Sequence, residues 1–139
     1  MADLPDVPLF VVRSGQDEFP GVNDTIDQFT RTGTPVGTLP RPGASSNDLD
    51  LDIAANTFSL GSGSVLAGNL FVTNGETAPQ QLFGVDISGG AITGQLDLPS
   101  GSYVGGAYHP GTNSVFLVDY GSDVIREFNP AGSGTLLDE

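Results

Sequence analysis

One short pattern that occurs three times restricts the fold of this chain more than any other feature. The clearest copy is SVFLVDYGSDVIREFNPAG, residues 114–132, which reads as an apolar strand, a turn, a second strand and a second turn. In its second strand Ile125 and Phe128 are three residues apart, and Gly132 follows Phe128 by four. A short unit with this spacing predicts a repeated arrangement of strands.

Two further copies precede it. Ile26 and Phe29 are three apart with Gly33 four residues later, and Leu82, Val85 and Gly89 keep both spacings. The equivalent residues are Phe10, Ile26, Phe29, Gly33 and Leu39 in the first copy, Phe71, Leu82, Val85, Gly89 and Leu96 in the second, and Phe116, Ile125, Phe128, Gly132 and Leu136 in the third.

The apolar residues between these marks predict strands and turns. They come in runs of three to five bounded by Gly, Asn, Asp or Pro, which is typical of short strands. The stretch SLGSGSVLAG, residues 59–68, predicts a loop or hairpin. We expect Gly33, Gly89 and Gly132 to take positive φ in the turns that follow.

The repeats divide the chain into units at about 8–48, 49–100 and 101–139 within one all-β domain, 1–139. At 139 residues the chain has the length of a single core. The Phe residues of successive copies are 61 and 45 positions apart. A period near 45 falls in the range of four-stranded propeller blades.

The third copy with its preceding turn, YHPGTNSVFLVDYGSDVIREFNPAG, resembles the blade repeat of the NHL, YVTN and related β-propeller proteins. The resemblance is strongest in 103–136, weaker in 8–39 and weakest in 50–97. It implies a partial β-propeller-like array of about three four-stranded antiparallel blades. The alternative from the residues alone is a two-sheet β-sandwich or jelly roll.

Three blades are fewer than the about four to eight with which propellers close. An open array leaves apolar faces on its terminal blades, which a monomer rarely exposes. We therefore expect the chain to associate with copies of itself or with a larger protein. The candidate interface residues are Phe10, Phe116, Val118, Ile125 and Phe128.

The charge of the chain restricts its partners. With 17 acidic and 4 basic residues the net charge is -13, which repels phosphate backbones and anionic membranes. We expect no nucleic-acid and no membrane partner. No signal peptide and no transmembrane segment are predicted, which is compatible with a soluble protein or one at the surface of an assembly or particle. The chain has no cysteine.

The best metal candidate is NDLDLD, residues 47–52, where Asp48, Asp50 and Asp52 alternate with apolar residues. On a strand these carboxylates would lie on one face, about 7 Å apart. That spacing is too wide for one ion without other ligands, so an amphipathic strand with an acidic face and a surface Ca²⁺ site are both open. No other cofactor is predicted.

Catalytic patterns are missing from the sequence. His109, the only histidine, precedes Pro110 and predicts a turn residue rather than a catalytic base. No catalytic residue is predicted, and we expect a non-enzymatic structural or interaction module that acts through assembly. Two alternatives are a coat, filament or virion-surface component, and a metal-dependent hydrolase like the propeller lactonases, formed only on oligomerisation.

Overall fold

The computed structural model describes residues 9–13, 25–42, 50–74, 78–132 and 134–138. Throughout these ranges the regular structure consists of strands and turns, and no residue in them is helical. The prediction of an all-β chain is confirmed.

Most of the strands form three antiparallel sheets, which we call the first, second and third sheet in chain order. The first sheet contains β1 (Leu9–Arg13), β2 (Thr25–Phe29) and β3 (Pro35–Pro40). The second contains β4 (Asp50–Ile53), β7 (Leu70–Thr73), β8 (Gln81–Val85) and β9 (Ile92–Asp97), with β5 (Phe58–Leu60) and β6 (Gly63–Val65) as a separate hairpin inserted after β4. The third contains β10 (Tyr103–His109), β11 (Ser114–Asp119), β12 (Val124–Phe128) and β13 (Leu136–Asp138). These sheets outnumber the two of a β-sandwich.

The second sheet lies between the other two and is buried on both faces. Its contact with the first sheet is formed by Ile26, Leu39, Leu70, Val72, Phe83 and Val85. Its contact with the third sheet is formed by Phe71, Leu82 and Leu96 against Tyr103, Val115, Leu117 and Phe128. Burial on both faces explains why β7 reads as an uninterrupted apolar run rather than as an alternation.

The hairpin of β5 and β6 fills the space between the second and third sheets. Phe58, Leu60 and Val65 join the core there, and Gly61 forms parallel bridges to Gln95 and to Ala131. All of this segment except Phe58 lies within SLGSGSVLAG, residues 59–68, so the expected loop or hairpin is a hairpin. Its glycines permit close approach, because a Cβ on Gly63 would lie 2.1 Å from the Thr93 carbonyl oxygen.

Two of the three turn glycines have the conformation expected of them. Gly33 has φ of 83° and Gly132 has φ of 84°, whereas in the second copy the positive φ of 74° belongs to Gly90. The prediction for Gly89 is therefore wrong. The backbone bond that closes this turn spans Asp86 to Ala91, one residue more than Thr30 to Thr34 in the first copy, which moves the left-handed position by one residue.

The leucine that ends each copy has a different pairing partner in the third copy. Leu39 pairs with Ile26 and Leu96 pairs with Leu82, so these two leucines are equivalent. Leu136 instead pairs with Phe128. The equivalence of Leu136 with Leu39 and Leu96 is therefore wrong, because the turn before β13, closed by Asn129 and Thr135, is longer again.

Candidate functional site

The two apolar anchors of each copy face opposite neighbours. Side chains three positions apart on a strand lie on opposite faces of the sheet, and in the second sheet Leu82 packs towards the third sheet while Val85 packs towards the first. Ile26 packs towards the second sheet, as does Phe128 from the other side. We call the face turned towards the next sheet the leading face and the opposite one the trailing face.

The leading face of the third sheet has no sheet against it among the described residues. Its anchor Ile125 is 62% exposed, whereas the equivalent residues Ile26 and Leu82 are both 0% exposed. The repeat position is the same, and the difference is the presence of a following sheet. Ile125 thus occupies a repeat position that is buried in the other two copies, but it lies on the surface of the third sheet.

Apolar side chains surround Ile125 on this leading face. Val104, Val118 and Ile125 pair directly across β10, β11 and β12, and paired residues share one face of a sheet. Phe116 lies in the neighbouring row beside Glu127. Val118 is 40% exposed, while Val104 and Phe116 are partly buried. The result is an uncovered apolar patch with a carboxylate at its side.

No described sheet lies against the trailing face of the first sheet either. Leu9 is 49% exposed, although its equivalents Leu70 and Val115 are 0% exposed. Leu9 pairs with Phe29, which pairs in turn with Pro35, and Phe29 is only partly buried. A groove of about 390 Å³ opens beside Phe29 and is lined by residues 27–29 and 35–38.

The five predicted interface residues lie in three different environments. Phe116, Val118 and Ile125 are on the leading face of the third sheet. Phe10 is partly buried against the core between the first and second sheets, and Phe128 is 0% exposed in the core between the second and third. The structure therefore brings three of the five together on one accessible surface.

The predicted metal ligands are only partly within the described residues. Asp48 lies outside them, while Asp50 and Asp52 lie on one face of β4, opposite Thr73 and Phe71. Each carboxylate accepts a hydrogen bond of 2.7 Å from the backbone N–H of the next residue. In the described ranges no three His, Asp or Glu side chains are grouped as metal ligands. The calcium site stays a prediction.

A polar cluster lies where β11 ends, at residues for which the sequence predicts no role. The Asp119 carboxylate accepts hydrogen bonds from the backbone N–H groups of Ser102 and Gly121 and from the Ser122 hydroxyl. Arg126 Nη2 lies 3.2 Å from Asp119 Oδ2. Burial alone raises the pKa of Asp119, but these hydrogen bonds and the Arg126 charge outweigh it and leave the pKa below its usual value.

The second sheet has an amide at the equivalent position. Asn74 follows Phe71 by three residues, as Asp119 follows Phe116. Asn74 Oδ1 accepts a bond of 2.6 Å from the Gln81 N–H, and Nδ2 donates one of 2.8 Å to the Pro79 carbonyl. A polar residue three positions after the strand phenylalanine is the signal that could have found this cluster.

His109 stabilises a turn. It ends β10 and is exposed, and its Nδ1 accepts a hydrogen bond of 3.2 Å from the Thr112 N–H. Its ring also packs edge-on against Phe116, with centroids 6.4 Å apart. These contacts hold the β10 to β11 connection beside the leading face of the third sheet.

Within the described ranges no helix has the length and apolar character needed to cross a membrane. Comparison of the chain with protein-family models, with curated proteins and with solved structures finds no match. Its function is therefore inferred from the sheets and their uncovered faces.

Proposed function

We propose that this chain is a non-enzymatic structural module that acts through assembly, in which a sheet of another chain covers the leading face of the third sheet. In this proposal the three sheets are part of a β-propeller-like array. The observation that carries it is the contrast between Ile125, 62% exposed, and its equivalents Ile26 and Leu82, both 0% exposed. A position that is core in two copies is left open in the third.

The energetics favour coverage of this face. Full burial of a Val, Ile or Phe side chain stabilises by about 1.5 to 3 kcal/mol. Val104 and Phe116 are already partly buried, whereas Val118 and Ile125 are exposed, so the face as a whole offers on the order of 5 kcal/mol before the entropic cost of association. A second face that contributes a similar amount raises this favourable term to about 10 kcal/mol.

The stacking of the sheets and the blade resemblance support a propeller-like array. In both internal contacts a leading face packs against the trailing face of the next sheet, as neighbouring blades do. Propellers need about four to eight blades to close. Three sheets therefore require at least one more.

The decisive experiment compares the native size of the chain with that of an Ile125→Asp variant. In gentle extracts of the producing cells, the wild-type chain should elute well above its 14.3 kDa monomer mass, and the variant should move to the monomer position because a carboxylate cannot be buried there. Leu66→Asp is the matched control, since Leu66 is 52% exposed but lies outside both uncovered faces.

Circular dichroism of the purified variants shows that each is folded, so a shift in size reports lost association. A wild-type chain that elutes as a monomer from the extract contradicts the proposal. So does an Ile125→Asp variant that elutes with the wild type.

A further inference from the structure

We infer that the sheet covering the third sheet's leading face is the first sheet of a second copy, and that two copies close a ring of six sheets. This inference rests on the proposed function, because it names the partner for the same face. In this arrangement the third sheet of one copy contacts the first sheet of the other, and the third sheets of the two copies do not contact each other.

The internal contacts determine which surface fits. Where the first and second sheets meet, Ile26 and Leu39 pack against Leu70, Val72 and Val85. Where the second and third meet, Leu82 and Leu96 pack against Val115, Leu117 and Phe128. Both contacts join a leading face to a trailing face. The natural complement of the third sheet's leading face is therefore another trailing face.

Within the described ranges one trailing face of this kind is uncovered, that of the first sheet. Leu9 and Phe29 stand there at the positions that Leu70 and Val85 occupy in the second sheet and Val115 and Phe128 in the third. All four of those equivalents are fully buried. A groove of about 390 Å³ lies beside Phe29 and is lined by residues 27–29 and 35–38, with Asp27 among them.

The number of sheets then favours two copies. Among the sheets that the structure describes, each chain offers one uncovered leading face and one uncovered trailing face, so a head-to-tail contact leaves one of each uncovered until the ring closes. Two chains supply six sheets, which falls within the about four to eight of closed propellers, whereas three chains supply nine. Closure by two copies gives two identical contacts related by a two-fold axis.

Light scattering on the purified full chain at micromolar concentration tests the partner. We expect a particle of twice the 14.3 kDa chain mass. Ile125→Asp and Leu9→Asp, one on each face, should each weaken the dimer on the order of 100-fold or more because each places a carboxylate in an apolar contact. Leu66→Asp should leave the dimer unchanged.

An equimolar mixture of the Ile125→Asp and Leu9→Asp chains distinguishes head-to-tail from symmetric pairing. In the proposed ring the mixed dimer has one intact contact and one contact carrying both substitutions, so dimers should reappear with reduced affinity. If two third sheets paired with each other, Leu9→Asp alone would remain dimeric. That result overturns the inference.

The outcome for the purified wild type separates this inference from the proposed function. If the purified chain is monomeric while Ile125 still controls a larger size in cell extracts, the partner is another protein and the second-copy inference is wrong. If the chain is monomeric in both, the proposed function fails as well. Circular dichroism confirms that each variant has kept its sheet content.

Discussion

The carboxylate of Asp119 is held by Arg126, whose Nη2 lies 3.2 Å from Oδ2, where β11 turns into β12. The Arg126 Nη1 also lies 3.3 Å from the Tyr103 hydroxyl, and Tyr103 is 0% exposed. One charged pair thus connects the turn of the third sheet to the core between the second and third sheets. Asp119 itself is only 3% exposed.

Replacement of this carboxylate should destabilise the fold and change its response to acid. Asp119→Asn should lower the free energy of unfolding at pH 7 by about 2 to 3 kcal/mol, because Arg126 loses its buried partner. The pKa of Asp119 is lowered in the folded chain, so its contribution is full above the unfolded value of about 3.9 and is lost as pH falls through the lower folded value.

Urea unfolding between pH 7 and pH 2 measures this effect. The difference between wild type and Asp119→Asn should be constant above about pH 4 and should shrink below it. Asp123→Asn is the control, since Asp123 is an exposed carboxylate in the same turn. A difference that stays constant down to pH 2 would show that the ionised carboxylate is not what stabilises the turn.

A pair of identical substitutions at one repeat position should have very different costs. Ile26→Ala removes a fully buried side chain and should lower the free energy of unfolding by about 2 to 5 kcal/mol. Ile125→Ala removes one that is 62% exposed and should change it by no more than about 0.5 kcal/mol in the monomer. Denaturant unfolding at concentrations where light scattering detects only monomer makes the comparison. Equal costs would contradict the described packing of the first sheet.

The hairpin of β5 and β6 should not tolerate the methyl group that a Gly63→Ala substitution adds. A Cβ on Gly63 would lie 2.1 Å from the Thr93 carbonyl oxygen and 2.9 Å from the Gly94 Cα. Gly63→Ala should therefore cost about 3 kcal/mol through displacement of β6 from β9. Gly89→Ala is the control, because no heavy atom lies within 4 Å of the added Cβ, and it should be neutral or slightly stabilising. Thermal melting of both variants, followed by circular dichroism, gives the comparison, and equal melting temperatures would be the contrary result.

Self-association should strengthen as salt is added. Each copy has a net charge of -13, so two copies repel one another at low ionic strength. Raising the salt from about 0.01 to 0.1 M shortens the Debye length from about 30 to 10 Å and screens that repulsion. Sedimentation at several salt concentrations should show a falling dimer Kd. A Kd that rises with salt would indicate attraction between opposite charges, which contradicts an apolar contact between acidic chains.

Much of the local structure follows from the sequence. The strands lie where the apolar runs predict them, as in 70–73 and 114–119, and the stretch 59–68 contains the predicted hairpin. The lengths of the turns follow less well from the sequence. Gly89 has the spacing of the other turn glycines but not their positive φ, and Leu136 has a different strand partner from Leu39 and Leu96. A turn can gain a residue without changing the strand that precedes it, and the spacing of anchors does not report that insertion.

The candidate site was only partly predictable. The sequence predicts Phe116, Val118 and Ile125 at an interface, and they share the leading face of the third sheet. It predicts Phe128 there too, but Phe128 is buried against the second sheet. The sequence does not say which face of a terminal sheet is covered, because leading and trailing faces are equally apolar in the pattern.

By itself the sequence determines an acidic, cysteine-free, all-β chain with three strand repeats, because strand alternation and turn residues are local properties. Only the tertiary structure decides that the second sheet lies between the others, that the hairpin of β5 and β6 packs between two sheets, and that Ile125 and Leu9 are exposed. Those features depend on contacts between residues far apart in the chain. The local sequence pattern determines which faces of a sheet are apolar. The order in which the sheets stack determines which of those faces remain uncovered.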